Sequence, residues 1–419
     1  MAIITEEQLN KYEKGLPKRL TINGTPGEYV SYKIPLNLLY YNDMNGRIST
    51  YIEEYDENHN NSPLKELLKS DKEKYNDVIA GFIKESSSDN LVSFNKTKED
   101  IRAKGQQQPG VILSDGRIID GNRRFTALRE LFKETGDLKF AFFEAVCRPA
   151  PQENDKGAWL AIKLLELNLQ FDVDEKKGYN RIDFLVSFYK DVMNPLTKLC
   201  DEKTYCHASG MKASEFKTNT AVVETMLDYL DWRGKPKAFH ILKNEKLDGP
   251  IEDISKKRTK MSEEEWNEKK FYIYSAMTID QTGDRTRKTR ELLNSAVKEG
   301  ALYHVFKEAV DTPTVRNEIL KVVSKIDHQA TTPEESAQME RDKNVLENTL
   351  NKAYLDGVFK QQIEKEANGP AKAMENVLKA LNAIELSTVQ NLKSPEKEEL
   401  LSRIDAVESK IQEIKDATK

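Results

Sequence analysis

The segment 111–132, VILSDGRIIDGNRRFTALRELF, constrains the fold of this chain more than any other. Val111-Ile112-Leu113 is a short apolar run of strand type. Ser114-Asp115-Gly116-Arg117 carries the Asp-Gly signal of a tight hairpin turn, and Ile118-Ile119 returns as a second strand. Asp120-Gly121 breaks the pattern. Phe125, Leu128 and Leu131/Phe132 then fall on one helical face. A helix that starts just after a glycine turn presents free backbone N–H groups and the positive end of its dipole. Arg123 and Arg124 at that start can fork onto phosphate oxygens. The same residues also read as a plain strand-turn-helix with solvated arginines.

The flanks extend this unit. Residues 29–34 mix Tyr, Val and Ile as a strand does, and 35–39 read as a short helical turn. Residues 41–48 (YNDMNGRI) form a polar loop whose Asn side chains suit tight turns. Residues 95–104 read as a helix stopped by Gly105, and 140–146 as an apolar strand. The expected architecture is an α+β N-terminal domain over 1–160. Helical periodicity follows: 161–250 as a helix-turn-helix-like domain, 251–330 as a helical region, and 331–419 as a charged helical tail.

Composition limits what such a chain can do. It has 419 residues, 32% of them charged, with net charge −5. The whole chain is therefore no basic nucleic-acid binder, and any such contact must come from a local patch. Cys147, Cys200 and Cys206 make no disulfide framework, which points to a reducing, cytoplasmic setting. Cys206-His207 and Cys200 lack the second ligand pair of a zinc site. The first residues hold no apolar signal core, and no run of 18 apolar residues suggests a membrane span.

Three ordered boxes carry a family resemblance: IPLNLLYYNDMNGRI (34–48), GQQQPGVILSDGRIIDGNRRFTALREL (105–131) and LLELNLQFDVD (164–174). Together they resemble the ParB/sulfiredoxin superfamily, most closely the N-terminal domain of ParB-type partition proteins. The resemblance implies a pocket for the triphosphate of CTP with Mg²⁺. Gly121, Arg123 and Arg124 would hold phosphate, with Thr126 and Ala127 on the next turn. Asn45 and Arg47 would line the pocket. Asn168 would meet the metal–phosphate group, and Gln170 matches the third box's glutamine. An amide oxygen can reach Mg²⁺ directly or through water.

The departures are as informative. The family's catalytic Glu falls on Leu167, and Glu166 is offset by one position, about 100° around a helix. The arginine after the family's glutamine is Phe171. Sulfiredoxin's catalytic Cys is Asn122, which removes the sulfinic-acid reductase chemistry.

Residues 204–232 resemble a helix-turn-helix around Gly210-Met211-Lys212. Lys212, Ser214, Lys217, Thr218 and Asn219 would be its DNA contacts; a simple three-helix packing unit fits the same pattern. The runs 255–260 and 283–290 are basic, and read either as phosphate-facing patches or as charged helix ends. In the tail, Ser394-Pro395-Glu396 is a helix start with Ser394 as N-cap. Leu400, Ile404, Val407, Ile411 and Ile414 form an a/d seam. The seam is short, so a hairpin with the preceding helix is expected. Partition proteins dimerise through a C-terminal element, which implies a homodimer through 370–416.

The expected function is a nucleotide-responsive DNA-binding protein of the ParB type. Two rivals share the pattern. One is an enzyme of the same fold, an ATP-dependent kinase or a nuclease, which needs a general base where only Asp120 stands. The other is an adaptor with a degenerate nucleotide pocket.

Overall fold

The computed structural model describes residues 4–22, 25–59, 63–86, 91–171, 180–279, 284–325, 332–365 and 369–418. The chain is α+β and 71% helical, and among the described residues the strands lie in the N-terminal region. By its contacts it forms two compact units: residues 1–290 with 320–330, and residues 291–319 with 331–419.

In the first unit, β1 (Lys18–Ile22) and β2 (Thr25–Tyr29) form a separate hairpin. The main sheet comprises β3 (Tyr32–Pro35), β4 (Tyr40–Tyr41), β5 (Gly110–Leu113), β6 (Arg117–Asp120) and β7 (Phe142–Arg148), in the order β3-β7-β5-β6-β4. The β3/β7 and β5/β6 pairs are antiparallel, while β5/β7 and β4/β6 are parallel. The β5–β6 hairpin is the one expected from Asp115-Gly116. Gly116 takes φ +93°, and a Cβ there would run into the Leu38 carbonyl.

Side chains alternate across the strands, so the sheet feeds two cores. Ile34, Ile112, Ile118 and Phe143 face Phe125, Leu128 and Leu131 of the Asn122–Thr135 helix. Val111, Leu113, Ile119 and Val146 face Leu20 of the hairpin and Leu165 of the Lys156–Phe171 helix. Among the described residues, Ser49–Asn58, Leu64–Ser70 and Lys72–Glu85 stand between the first two boxes, followed by a fourth helix before the second box. The expected helix at 95–104 is longer, Leu91–Lys104.

The helical part of this unit follows. Arg181–Phe188 runs into a π turn, Tyr189–Met193. Glu202–Ser209 ends on Gly210 at φ +67°, and Ala213–Trp232 is one continuous helix. Residues 234–254 contain Phe239–Asn244 and the start of Asp248–Arg258. Burial of Phe239, Leu242, Leu247, Ile251 and Ile254 explains why both helices form.

A buried polar latch fixes these helices on the N-terminal layer. Thr50 Oγ1 donates to Asp183 Oδ1 at 2.5 Å, and Lys243 Nζ meets Asp183 Oδ2 at 2.6 Å. The Lys243 ammonium also lies 3.6 Å from the centre of the Tyr51 ring. Desolvation pushes the Asp183 carboxyl up, and Lys243 and Thr50 pull it back.

In the second unit, Ala301–Asp311 packs along the long Pro333–Lys365 helix. Leu302, Phe306, Leu346, Leu350 and Tyr354 are buried there. Gly357 permits the approach, since a Cβ would lie 2.8 Å from Leu302 Cδ1 and 2.9 Å from its carbonyl oxygen. Gly369–Asn382, Leu386–Gln390 and Ser394–Ala417 follow. Apart from Gly369, none of their described residues is buried. The expected hairpin is therefore not formed, and the apolar seam stands open. Lys393, rather than Ser394, is the N-cap of the last helix.

Candidate phosphate turn and helix-turn-helix

The sheet builds the turn. Where β6 ends, Gly121 takes φ +98° and ψ 21°, the left-handed region. A Cβ there would lie 2.8 Å from Phe143 Cζ and 3.0 Å from Arg124 Nη2. The Asn122–Thr135 helix starts with no side-chain cap on its first-turn N–H groups. Those groups and the helix dipole make a positive end of the kind that holds anions.

The two arginines diverge rather than fork onto one point, because successive residues lie about 100° apart on a helix. Arg123 Nη2 donates to Ser93 Oγ at 2.9 Å. Arg124 donates to Asp120 Oδ2 at 3.1 Å and to Gln108 Oε1 at 3.4 Å. Lys18 Nζ meets the same Asp120 oxygen at 2.8 Å and the Pro109 carbonyl at 2.7 Å. Two cations thus share one carboxylate, and the Lys18–Asp120–Arg124 cluster keeps a positive excess. Sequence reasoning missed Lys18, Ser93 and Gln108. The signal available for them was Asp120, an acid set between an apolar strand and the glycine turn.

Thr126 serves the scaffold. Its hydroxyl lies 2.7 Å from Tyr41 Oη and donates to the Asn122 carbonyl at 2.9 Å. In the first box, Asn45 is buried and its Oδ1 accepts from Arg47 N at 3.1 Å; Asn42 does the same for Met44 N. Both asparagines fold the loop, as the turn reading expects, and Arg47 is half-buried. Arg117 joins the loop to the hairpin: it donates to Asp43 Oδ1 at 3.2 Å and stacks 5.4 Å from the Trp159 ring.

The third box lies on the Lys156–Phe171 helix. Asn168 is half-buried. Leu167, where the resemblance would place a Glu, is core at 2% exposure. Glu166 is buried too, and Lys163 bridges it (3.2 Å) to Asp191 (3.1 Å). That pairing leaves Glu166 no role as a substitute base. Residues 172–174, with the side chains of Gln170 and Phe171, lie outside the described residues.

In the helix-turn-helix, Lys212, Ser214, Lys217 and Thr218 are exposed along the start of Ala213–Trp232. Phe216 anchors that turn, 4.9 Å from the Phe188 ring. Asn219 departs from the expectation. It is 1% exposed, and its Oδ1 accepts from Arg181 Nη2 at 2.8 Å, so it pins two helices together. The described basic residues after it are largely neutralised. Arg258 stands 3.7 Å from Asp228, Arg287 2.9 Å from Asp284 and Arg290 2.8 Å from Asp253. This is the charged-helix-end reading of those runs. Residues 280–283 lie outside the described part.

All three cysteines are free thiols. Burial pushes the Cys147 and Cys200 thiols up to about 11, which leaves both inert at neutral pH. Among the described residues, no group of three His, Cys, Asp or Glu side chains is placed to hold a metal, and no helix is long and apolar enough to cross a membrane. No family model matches this chain, and neither does any curated protein or solved structure.

Proposed function

We propose that this chain is a ParB-like, nucleotide-responsive DNA-binding protein. The observation that carries the reading is the uncapped helix start at Gly121-Asn122, fixed by the sheet and flanked by Arg123, Arg124 and Lys18. A triphosphate fits that setting: the backbone N–H groups take one phosphate, and Arg124 exchanges Asp120 for a phosphate oxygen. CTP is the proposed nucleotide. Mg²⁺ would arrive on the triphosphate, with Asn168 as the amide near it. Leu167 and the buried Glu166 favour sensing over hydrolysis. DNA would meet the exposed Lys212, Ser214, Lys217 and Thr218.

A thermal-shift panel of CTP, ATP, GTP and UTP with Mg²⁺, with and without DNA, tests this. CTP raises the melting temperature by mass action, and Arg124→Ala removes that rise. Lys217→Glu weakens DNA binding about tenfold at low salt and flattens its salt dependence. Equal shifts for wild type and Arg124→Ala exclude the pocket.

The Arg124–Asp120 pair supports a second reading, an adaptor whose pocket is filled by its own side chains. No nucleotide shift with retained DNA binding selects it.

The tail is proposed to pair two copies. In Ser394–Ala417, Ile404 is 42% and Val407 39% exposed, an open a/d seam that a second identical helix covers. Light scattering on the full chain should give a dimer, and truncation before Ser394 a monomer. A full chain that scatters as a monomer rejects the pairing.

A further inference from the structure

Pairing of two Ser394–Ala417 helices leaves a second apolar surface of the tail in water. Gly369–Asn382 carries a stripe of its own: Met374, Val377, Leu378 and Leu381 lie on one face, and Ile384 continues it just past the helix end. Leu378 is 58% and Leu381 45% exposed. Among the described residues, nine large apolar side chains from Val377 to Ile414 stand open to water. A single exposed apolar side chain is ordinary on a monomer, whereas rows of them along two successive helices mark a contact surface. The two rows differ in width. Leu400, Ile404, Val407, Ile411 and Ile414 keep to the narrow a/d line of a coiled-coil seam. The Gly369–Asn382 stripe is broader, because Val377 and Leu378 stand side by side on it. A stripe of that width suits a helix facing the centre of a bundle.

We infer that two copies of this chain join as a four-helix bundle, in which the Gly369–Asn382 stripe of each copy closes over the paired Ser394–Ala417 seams. The inference rests on the pairing proposed above and adds a second helix without which that pair does not hold. Length is the first reason. The Ser394–Ala417 seam covers two heptads, and coiled coils that stand alone run to about three or four. A lone pair of such helices therefore buries too little apolar surface to be stable. The second stripe makes up the deficit: it runs about 15 Å from Met374 to Ile384, against about 21 Å from Leu400 to Ile414. Symmetry is the second reason. A two-fold contact doubles every surface, so four apolar faces of similar length meet around one axis and each is covered. A single helix from another protein would cover one stripe and leave the other in water. Charge is the third reason. Ser394–Ala417 carries seven acids against four bases, which disfavours an anionic membrane as the cover.

Light scattering of the full chain over a dilution series tests this. Leu378→Asp, Leu381→Asp puts two charges into the stripe. Asn376→Asp, Ala383→Asp puts the same two charges on the opposite face, and Ile404→Asp interrupts the other seam. Wild type and the opposite-face variant should be dimers. The stripe variant should dimerise at least about a hundredfold more weakly, and so should Ile404→Asp. Leu378→Met, Leu381→Met keeps the volume and the helix propensity of the stripe and should dimerise like wild type. Circular dichroism checks that each variant is folded. A stripe variant that dimerises like wild type while Ile404→Asp is monomeric overturns the bundle and leaves the simple pair of Ser394–Ala417 helices standing. Dimers from both variants place the contact elsewhere and overturn it too. An opposite-face variant as weak as the stripe variant does the same, since added charge and not the apolar stripe would then decide. A monomeric wild type overturns the pairing and the bundle together, whether or not it sediments with phosphatidylserine vesicles.

Discussion

Lys163→Met is expected to lower the stability of the first unit by about 3–5 kcal/mol at neutral pH, the usual cost of removing one partner from a buried ion pair. Lys163 stands between Glu166 and Asp191, and all three side chains are at most 8% exposed. Desolvation already pushes the Asp191 carboxyl above its ordinary range, and Lys163 is the largest influence pulling it back down. Without the ammonium, two carboxylates share a low-dielectric interior, and the Asp191 carboxyl is pushed up further. The folded variant then binds protons more tightly than the unfolded chain, so its stability rises as pH falls through the raised folded pKa. The gain ends near the ordinary carboxylate range, where the unfolded chain takes up the same protons. Urea denaturation across a pH series measures this. A loss under about 1 kcal/mol that does not change with pH would show that the cluster is not the buried charge centre described. The triple variant Lys163→Met, Glu166→Leu, Asp191→Leu should recover most of the loss, because it removes the charges together with their desolvation.

That cluster also marks where sequence reasoning stops. The β5–β6 hairpin, the Gly121 turn and the break at Gly210 were legible because each is set by neighbours within a few residues. Lys18 reaches Asp120 across 102 positions and Thr50 reaches Asp183 across 133, and no local pattern encodes such pairings. The β1–β2 hairpin and the three helices over 49–85 went unread for a related reason. Their apolar faces make sense only against a sheet assembled from distant segments. Asn219 was different, since its burial was there to be read. It lies three, seven and ten residues before Val222, Met226 and Tyr229, on the same helical face, and all four are buried. A resemblance to a DNA-reading helix assigned it outward, whereas periodicity assigns it inward. At Leu167 the two lines of reasoning agree. The residue that departs from the catalytic pattern of the resemblance is one the core requires.

Gly121→Ala should cost about 2–4 kcal/mol, from the left-handed backbone an alanine resists and from overpacking against Phe143. The turn between β6 and the Asn122–Thr135 helix owes its shape to that one position. Gly136, at the other end of the same helix, supplies the matched control. It has φ +65° with nothing within 4 Å of a built Cβ. Gly136→Ala therefore meets the backbone penalty alone, about 1 kcal/mol. The difference between the two variants isolates the contact of the turn with Phe143, whose ring also packs 5.8 Å from Phe125. Relief of that contact moves the helix start away from β6, and with it the first-turn N–H groups and Arg124. A folded Gly121→Ala variant should for this reason lose the CTP-dependent thermal shift, while Gly136→Ala keeps it. Urea midpoints give the stability half of the test, and the shift panel gives the binding half. Equal midpoints for the two variants would mean that the turn tolerates a side chain and that the sheet does not fix the helix start. Retention of the CTP shift by a destabilised Gly121→Ala would place the nucleotide elsewhere, even if the turn is as rigid as its geometry implies.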